Sequence, residues 1–124
     1  MKSILLVEDD PFLIDMYTTK FKEAGFSVKV ASNGKEGQRL LDEEKFDLLV
    51  LDIVLPKVDG WEILSKIKNQ KSNNKNLKDL KVVVLSNLGQ KGEVEKGLKL
   101  GAIKYLIKAH HTPSEVVDEI KRVF

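Results

Sequence analysis

The sequence predicts an open, doubly wound parallel α/β sheet of five strands with helices on both faces. Three observations lead there. Short runs of nearly unbroken Val, Leu and Ile recur along the chain, as in strands covered on both faces. Segments with apolar residues at helical spacing lie between and after these runs. Strand and helix alternate to the end with no internal repeat, linker or low-complexity segment, and a closed barrel requires more such units.

Ile4-Leu5-Leu6-Val7 is the first strand. Asp10-Pro11 then offers an N-cap and a first-turn proline to a helix with the stripe Leu13, Met16, Tyr17, Phe21 and Ala24, which Gly25 ends. Val28-Lys29-Val30-Ala31 follows; the lysine between apolar neighbours puts this strand at an edge. Asn33 and Glu36 form a capping pair before Leu40 and Leu41. Leu48-Leu49-Val50-Leu51 is the third strand, and Asp59 with Glu62 caps the helix carrying Ile63, Leu64 and Ile67. Asn69 to Lys81, rich in Asn and Lys, reads as a long polar loop. Val82-Val83-Val84-Leu85 is the fourth strand. The helix after it runs from about Gln90 to Leu100, and with Gly92 and Gly97 inside it is expected to be the least rigid. Tyr105-Leu106-Ile107 is the fifth strand. Thr112-Pro113-Ser114-Glu115 starts the last helix, whose apolar residues are Val116, Val117, Ile120 and Phe124.

Composition narrows the chemistry. The 124 residues suit one domain, and 42% hydrophobic with 32% charged residues is a globular balance. The absence of cysteine excludes disulfides, thiolate metal sites and a cysteine nucleophile. No apolar run is long enough to cross a bilayer, and Met1-Lys2-Ser3 leads straight into a strand, so a cytoplasmic location without membrane insertion is expected. A net charge of +2, with only Arg39 and Arg122 as arginines, gives no case for direct nucleic-acid binding. Lys66, Lys68, Lys71, Lys75, Lys78 and Lys81 make one region basic; it is either a solvated face or a docking patch for an acidic partner.

Ligands of an open parallel sheet bind beyond the carboxyl ends of its strands. Glu8, Asp9 and Asp10 follow the first strand, Asp52 the third, Ser86 the fourth and Lys108 the fifth. Singly, each has an ordinary explanation: the acids as helix caps or surface groups, Asp52 as a loop cap. Together they bring carboxylates, a hydroxyl and an amine to one end of the sheet. Crowded carboxylates repel, and a cation relieves them. Oxygen donors with no His or Cys nearby favour a hard ion, Mg²⁺ above all. Beside such an ion Asp52 could act as a nucleophile toward a phosphoryl group, with Ser86 and Lys108 holding phosphoryl oxygens.

Ile4 to Asp10, Asp47 to Gly60, Val84-Leu85-Ser86 and Tyr105-Leu106-Ile107-Lys108 together resemble the receiver domain of bacterial two-component response regulators, in order and over the whole chain. The resemblance implies the strand order 2-1-3-4-5 of the flavodoxin-like folds. It implies that Asp52 is phosphorylated, that Asp9 binds Mg²⁺ directly and Glu8 through water, and that the backbone carbonyl of Val54 completes the site. Ser86 takes the switch hydroxyl position, Tyr105 the switch aromatic and Lys108 the phosphate-binding lysine. A sensor histidine kinase or phosphotransfer domain would be the donor. A downstream protein target would read the surface of the fourth helix, fifth strand and fifth helix. The chain would be a regulator that assists its own phosphorylation and dephosphorylation rather than an enzyme. As a single receiver domain over residues 1–124, it would carry no output domain. Several residues depart from the family pattern. Ala109 stands where Pro is usual, and Asn87, where a small residue is common, is expected to crowd the phosphoryl site. Val54 and Leu88 are apolar at positions that tune hydrolysis, so slow dephosphorylation is expected. Ile103-Lys104 replaces the acidic pair of receivers that dimerise through the fourth helix. The rival readings are a pseudo-receiver acting as a phosphorylation-independent interaction module and an aspartyl phosphohydrolase.

Overall fold

The computed structural model describes residues 1–124. The strands are β1 (Ser3–Val7), β2 (Ser27–Ala31), β3 (Leu48–Leu51), β4 (Lys81–Ser86) and β5 (Lys104–Ile107). They form one parallel sheet in the order β2-β1-β3-β4-β5, with β2 at an edge, where Ser27 and Lys29 are exposed and Val28 and Val30 half-buried. The helices are α1 (Pro11–Glu23), α2 (Gly34–Glu43), α3 (Gly60–Gln70), α4 (Lys91–Lys99) and α5 (Pro113–Arg122).

Strand alternation sends side chains to two separate cores. On one face Ile4, Leu6, Leu48, Val50, Val83, Leu85 and Leu106 pack against Tyr17 and Phe21 of α1 and Val116, Val117 and Ile120 of α5. On the other, Leu5, Val7, Leu49, Leu51, Val82 and Val84 pack against α2 and α3. Continuous apolar runs are needed because β1, β3 and β4 are buried on both sides.

The sequence-marked caps form. Asp10 accepts the N–H groups of Phe12 and Leu13, Asn33 that of Glu36, and Asp59 that of Glu62. Thr112 and Glu115 bond reciprocally as a capping box. Gly25 ends α1 at φ +93°. Gly60 is required by a close approach: a Cβ there would lie 2.5 Å from the carbonyl oxygen of Asp52, so α3 starts in contact with the end of β3.

One expectation needs correction. The segment after α3 starts later than expected, at Lys71, and is not simply polar. Leu77 and Leu80 are buried within it, and Lys71 Nζ donates to their carbonyl oxygens at 2.9 and 2.6 Å. Gly97 of α4 is also a packing residue. A Cβ there would come within 2.7 Å of the Tyr105 ring.

Candidate functional site

The backbone ladder continues one residue past β1 and β3. The N–H of Glu8 donates to Ala31 O at 3.1 Å and the N–H of Asp52 to Val7 O at 3.1 Å. Glu8 and Asp52 therefore sit side by side at the carboxyl end of adjacent strands. By strand alternation they follow Ile4 and Leu6, and Leu48 and Val50, toward the α1–α5 face, as Lys108 follows Leu106. All three reach the same point. Lys108 Nζ lies 2.5 Å from Glu8 Oε1 and 2.6 Å from Asp52 Oδ2. Glu8 is only 2% exposed and Asp52 6%.

Each carboxylate has a second anchor. Glu8 Oε2 accepts the N–H groups of Asp9 and Asp10, both at 3.1 Å. Asp52 Oδ1 accepts the N–H of Val54 at 3.3 Å. Asp9 is exposed, yet its carboxylate joins the group: one oxygen from each of Glu8, Asp9 and Asp52 lies within 4.8 Å of the others. Asp10 stands outside this cluster as the cap of α1.

Burial dominates the protonation of Glu8 and holds its carboxyl above the ordinary range, although Lys108 and the Asp10 N–H pull the other way. Burial also opposes the charge on Lys108, but its hydrogen bonds to Asp52 and Glu8 outweigh this and raise its pKa. Tyr17 of α1, read from the sequence only as part of an apolar stripe, flanks the same pocket. Burial pushes its phenol up, and it feels the charges of Lys108, Glu8 and Asp52. Three carboxylates offering only oxygen donors fit a hard divalent cation that keeps some of its waters.

Ser86 and Tyr105 follow the opposite alternation, on the α2–α4 face. Ser86 is fully buried, and its Oγ accepts the N–H of Leu88 at 3.2 Å rather than touching Asp52. Tyr105 packs beside Gly97, and its hydroxyl donates to the carbonyl of the same Leu88 at 2.5 Å. The Leu88 backbone thus holds both side chains. Sequence reasoning read Leu88 only through its side chain, and backbone groups leave no mark in composition. The Leu88 side chain packs on the core, whereas Val54 is 61% exposed.

Asn87 does not crowd the pocket. It is exposed, and its Oδ1 accepts the N–H of Ala109 at 3.0 Å, tying the ends of β4 and β5 together. The Lys108–Ala109 peptide is trans and opens a short 3₁₀ turn over Lys108–His110. His110 is exposed; the Nδ1 of His111 lies 3.1 Å from Ile107 O.

Comparison with known proteins agrees with this geometry. Residues 4–121 match the response regulator receiver domain. The DNA-binding dual master transcriptional regulator RpaA of Synechocystis is 33% identical over 123 residues, covering 99% of this chain and 48% of that protein. The transcriptional regulatory protein CusR of Escherichia coli is 37% identical over 105 residues, covering 85% of this chain and 44% of that one. The chain thus spans about half the length of the curated relatives it matches. Among solved structures, a CheY-like receiver domain from Methanospirillum hungatei has a TM-score of 0.86 at 27% identity, covering 99% of this chain and 93% of its own. The receiver domain of Francisella response regulator 1452 has a TM-score of 0.87 at 28% identity, covering 99% and 96%.

Removing the ammonium leaves buried carboxylates facing one another. Lys108→Met is expected to destabilise the metal-free protein by about 3 kcal/mol at neutral pH. Because burial raises the Glu8 pKa, its ionisation works against folding. The deficit should therefore shrink as pH falls and Glu8 takes up a proton. Urea unfolding across pH measures this; a variant as stable as the wild type at neutral pH contradicts the pairing. Burial pushes the Tyr105 phenol up to about 12, from an ordinary value of 10.0. Its contribution to stability is full below the ordinary value and is lost as pH rises toward the folded one. Phenolate absorbance should show that the step removed by Tyr105→Phe lies near pH 12, and a step near 10 contradicts the buried hydroxyl.

Proposed function

The chain belongs to the response regulator receiver domain family of two-component systems, and from that membership and its pocket we propose that it accepts a phosphoryl group on Asp52. Receiver domains are signalling domains rather than turnover enzymes. The observation that carries the proposal is Lys108 bridging Glu8 and Asp52 with the Asp9 carboxylate alongside. A nucleophilic carboxylate, an acidic cation site and a mobile cation for the transferred group occupy one place.

The donor is the phosphohistidine of a sensor histidine kinase or phosphotransfer domain. An Asp52 carboxylate oxygen attacks phosphorus as the phosphorus–nitrogen bond breaks, and the imidazole leaves, taking a proton from solvent. Asp9, Asp52 and the Val54 carbonyl would hold Mg²⁺, with Glu8 acting through water; the ion would supply charge neutralisation on the phosphoryl oxygens. Lys108 already contacts Asp52 and moves from its carboxylate oxygen to a phosphoryl oxygen. Ser86, which accepts the Leu88 N–H, turns from it to donate its own O–H to a phosphoryl oxygen. That frees one end of a residue whose other end holds Tyr105. The shift alters the α4–β5–α5 surface for a downstream protein target.

Val54, exposed and apolar at the mouth, offers nothing to orient an attacking water, so the phosphorylated form is long-lived. No direct nucleic-acid contact is proposed for this segment, although its relatives are named as transcriptional regulators. No helix is long and apolar enough to cross a membrane, and we assign the domain to the cytoplasm with its kinase partner's catalytic part. An intact acidic set argues against a pseudo-receiver. A hydrolase is disfavoured because the candidate nucleophile follows β3, apart from the acids after β1.

Mass spectrometry after incubation with acetyl phosphate and Mg²⁺ is expected to show one phosphoryl adduct per chain, lost in Asp52→Asn. Multiple-turnover release of phosphate would support the hydrolase, and no adduct under any condition the pseudo-receiver.

A further inference from the structure

The paired residues of β4 and β5 end at Ser86 and Ile107. The next tie between the two segments is made by a side chain: Asn87 Oδ1 accepts the Ala109 N–H at 3.0 Å. This N–H lies at the start of the 3₁₀ segment Lys108–His110, where a peptide donor has no partner within its own helix. The other bonds to the turn come from its own end. The His111 N–H donates to Lys108 O at 3.3 Å, and His111 Nδ1 lies 3.1 Å from Ile107 O. Asn87 is thus the residue from outside the turn that holds the Lys108–Ala109 peptide. The two residues after it grip β5 as well. Leu88 O accepts the Tyr105 hydroxyl, and a Cβ on Gly89 would meet Ile107 Cδ1 at 2.7 Å.

We propose that Asn87 is a positioning residue for Lys108, fixing the peptide after it so that the ammonium stands between Glu8 and Asp52. A lysine ammonium is a point charge on a flexible four-carbon stem, so its place is only as well defined as the backbone that carries it. Here it meets two carboxylates at once, at 2.5 and 2.6 Å, reaching from β5 over the end of β4. A turn free to pivot about Ile107 would carry the stem away from one of them. The two bonded residues also account for each other, since both depart from the receiver pattern. The Pro usual after the lysine has no N–H to give. Ala109 has one, and Asn87 supplies the acceptor that a small residue would lack.

The same bond joins two groups assigned to the phosphoryl site, because Asn87 follows Ser86 and Ala109 follows Lys108. Tied in this way, the hydroxyl and the amine reach a phosphoryl group in a fixed relation to one another. That consequence rests on the reading of Asp52 above; the placing of Lys108 does not. Asn87 is exposed and belongs to neither core, so a change there alters the tie and leaves the packing in place.

Two variants of nearly equal size separate the acceptor from the bulk of the side chain: Asn87→Leu removes the acceptor and Asn87→Asp keeps it. In the unphosphorylated, metal-free chain, amide hydrogen exchange reads the bond. The rate at which a succinimidyl ester acylates Lys108, followed by peptide mass spectrometry, reads the ammonium. The Leu variant is expected to lose about fivefold in Ala109 N–H protection, the worth of one hydrogen bond, and to acylate Lys108 severalfold faster. The Asp variant should behave as the wild type does. Lys104, paired with Glu119 away from the turn, should react at the same rate throughout. With acetyl phosphate and Mg²⁺, the Leu variant should form its adduct more slowly than the Asp variant. Unchanged Lys108 acylation in the Leu variant, equal acceleration in both variants, or an acceleration shared by Lys104 would each overturn the proposal. If the wild type forms no adduct, the reading of Asp52 falls, and the exchange and acylation results still decide the role of Asn87.

Discussion

The ion pairing of Lys108 with Glu8 and Asp52 is the constraint on which the rest of the site depends. Two carboxylates buried side by side repel, and each loses hydration by leaving water. The ammonium offsets both effects at once. Its position follows from topology. β1 and β3 are neighbours, so Glu8 and Asp52 come out adjacent; β5 lies beyond β4, and Lys108 reaches back over the end of β4 to meet them. An amine that spans three strand ends also reports on all of them. Any group that changes the charge at Asp52 changes what holds Lys108 in place.

Strand alternation divides the site between two faces of the sheet. The acids and Lys108 belong to the α1–α5 side, Ser86 and Tyr105 to the α2–α4 side. Leu88 joins the halves of the second group through its backbone, and Gly97 carries the contact of Tyr105 outward to Trp61. The carboxylate cluster and the α3–α4 surface are thus separated in space, with Leu88, Tyr105 and Gly97 between them.

Much of this was legible in the chain because burial on both faces demands unbroken apolar strands, and β1, β3 and β4 show that pattern directly. Lys29 marked the edge strand for the same reason. The capping residues of α1, α2, α3 and α5 were readable because their side chains do the capping. The strand order came from resemblance to a family, as alternation alone does not rank strands. Other features were hidden for physical reasons. Leu77 and Leu80 anchor their loop from within a run of Asn and Lys, where no period reveals them. α4 buries only Gly97, so it has almost no apolar signature of its own. Asn87 was expected at the pocket, but it is exposed and its Oδ1 accepts the Ala109 N–H instead, a partner that the sequence does not reveal. The roles of Leu88 rest on peptide groups that every residue possesses.

The central claim is that Lys108 occupies the charge space a divalent cation would use. Calorimetric titration of Mg²⁺ at neutral pH into the wild type and into Lys108→Met, with circular dichroism confirming that both are folded, tests it most directly. The account predicts tighter Mg²⁺ binding in the variant, because the ammonium no longer competes for Glu8 and Asp52. Equal or weaker binding by the folded variant would contradict it.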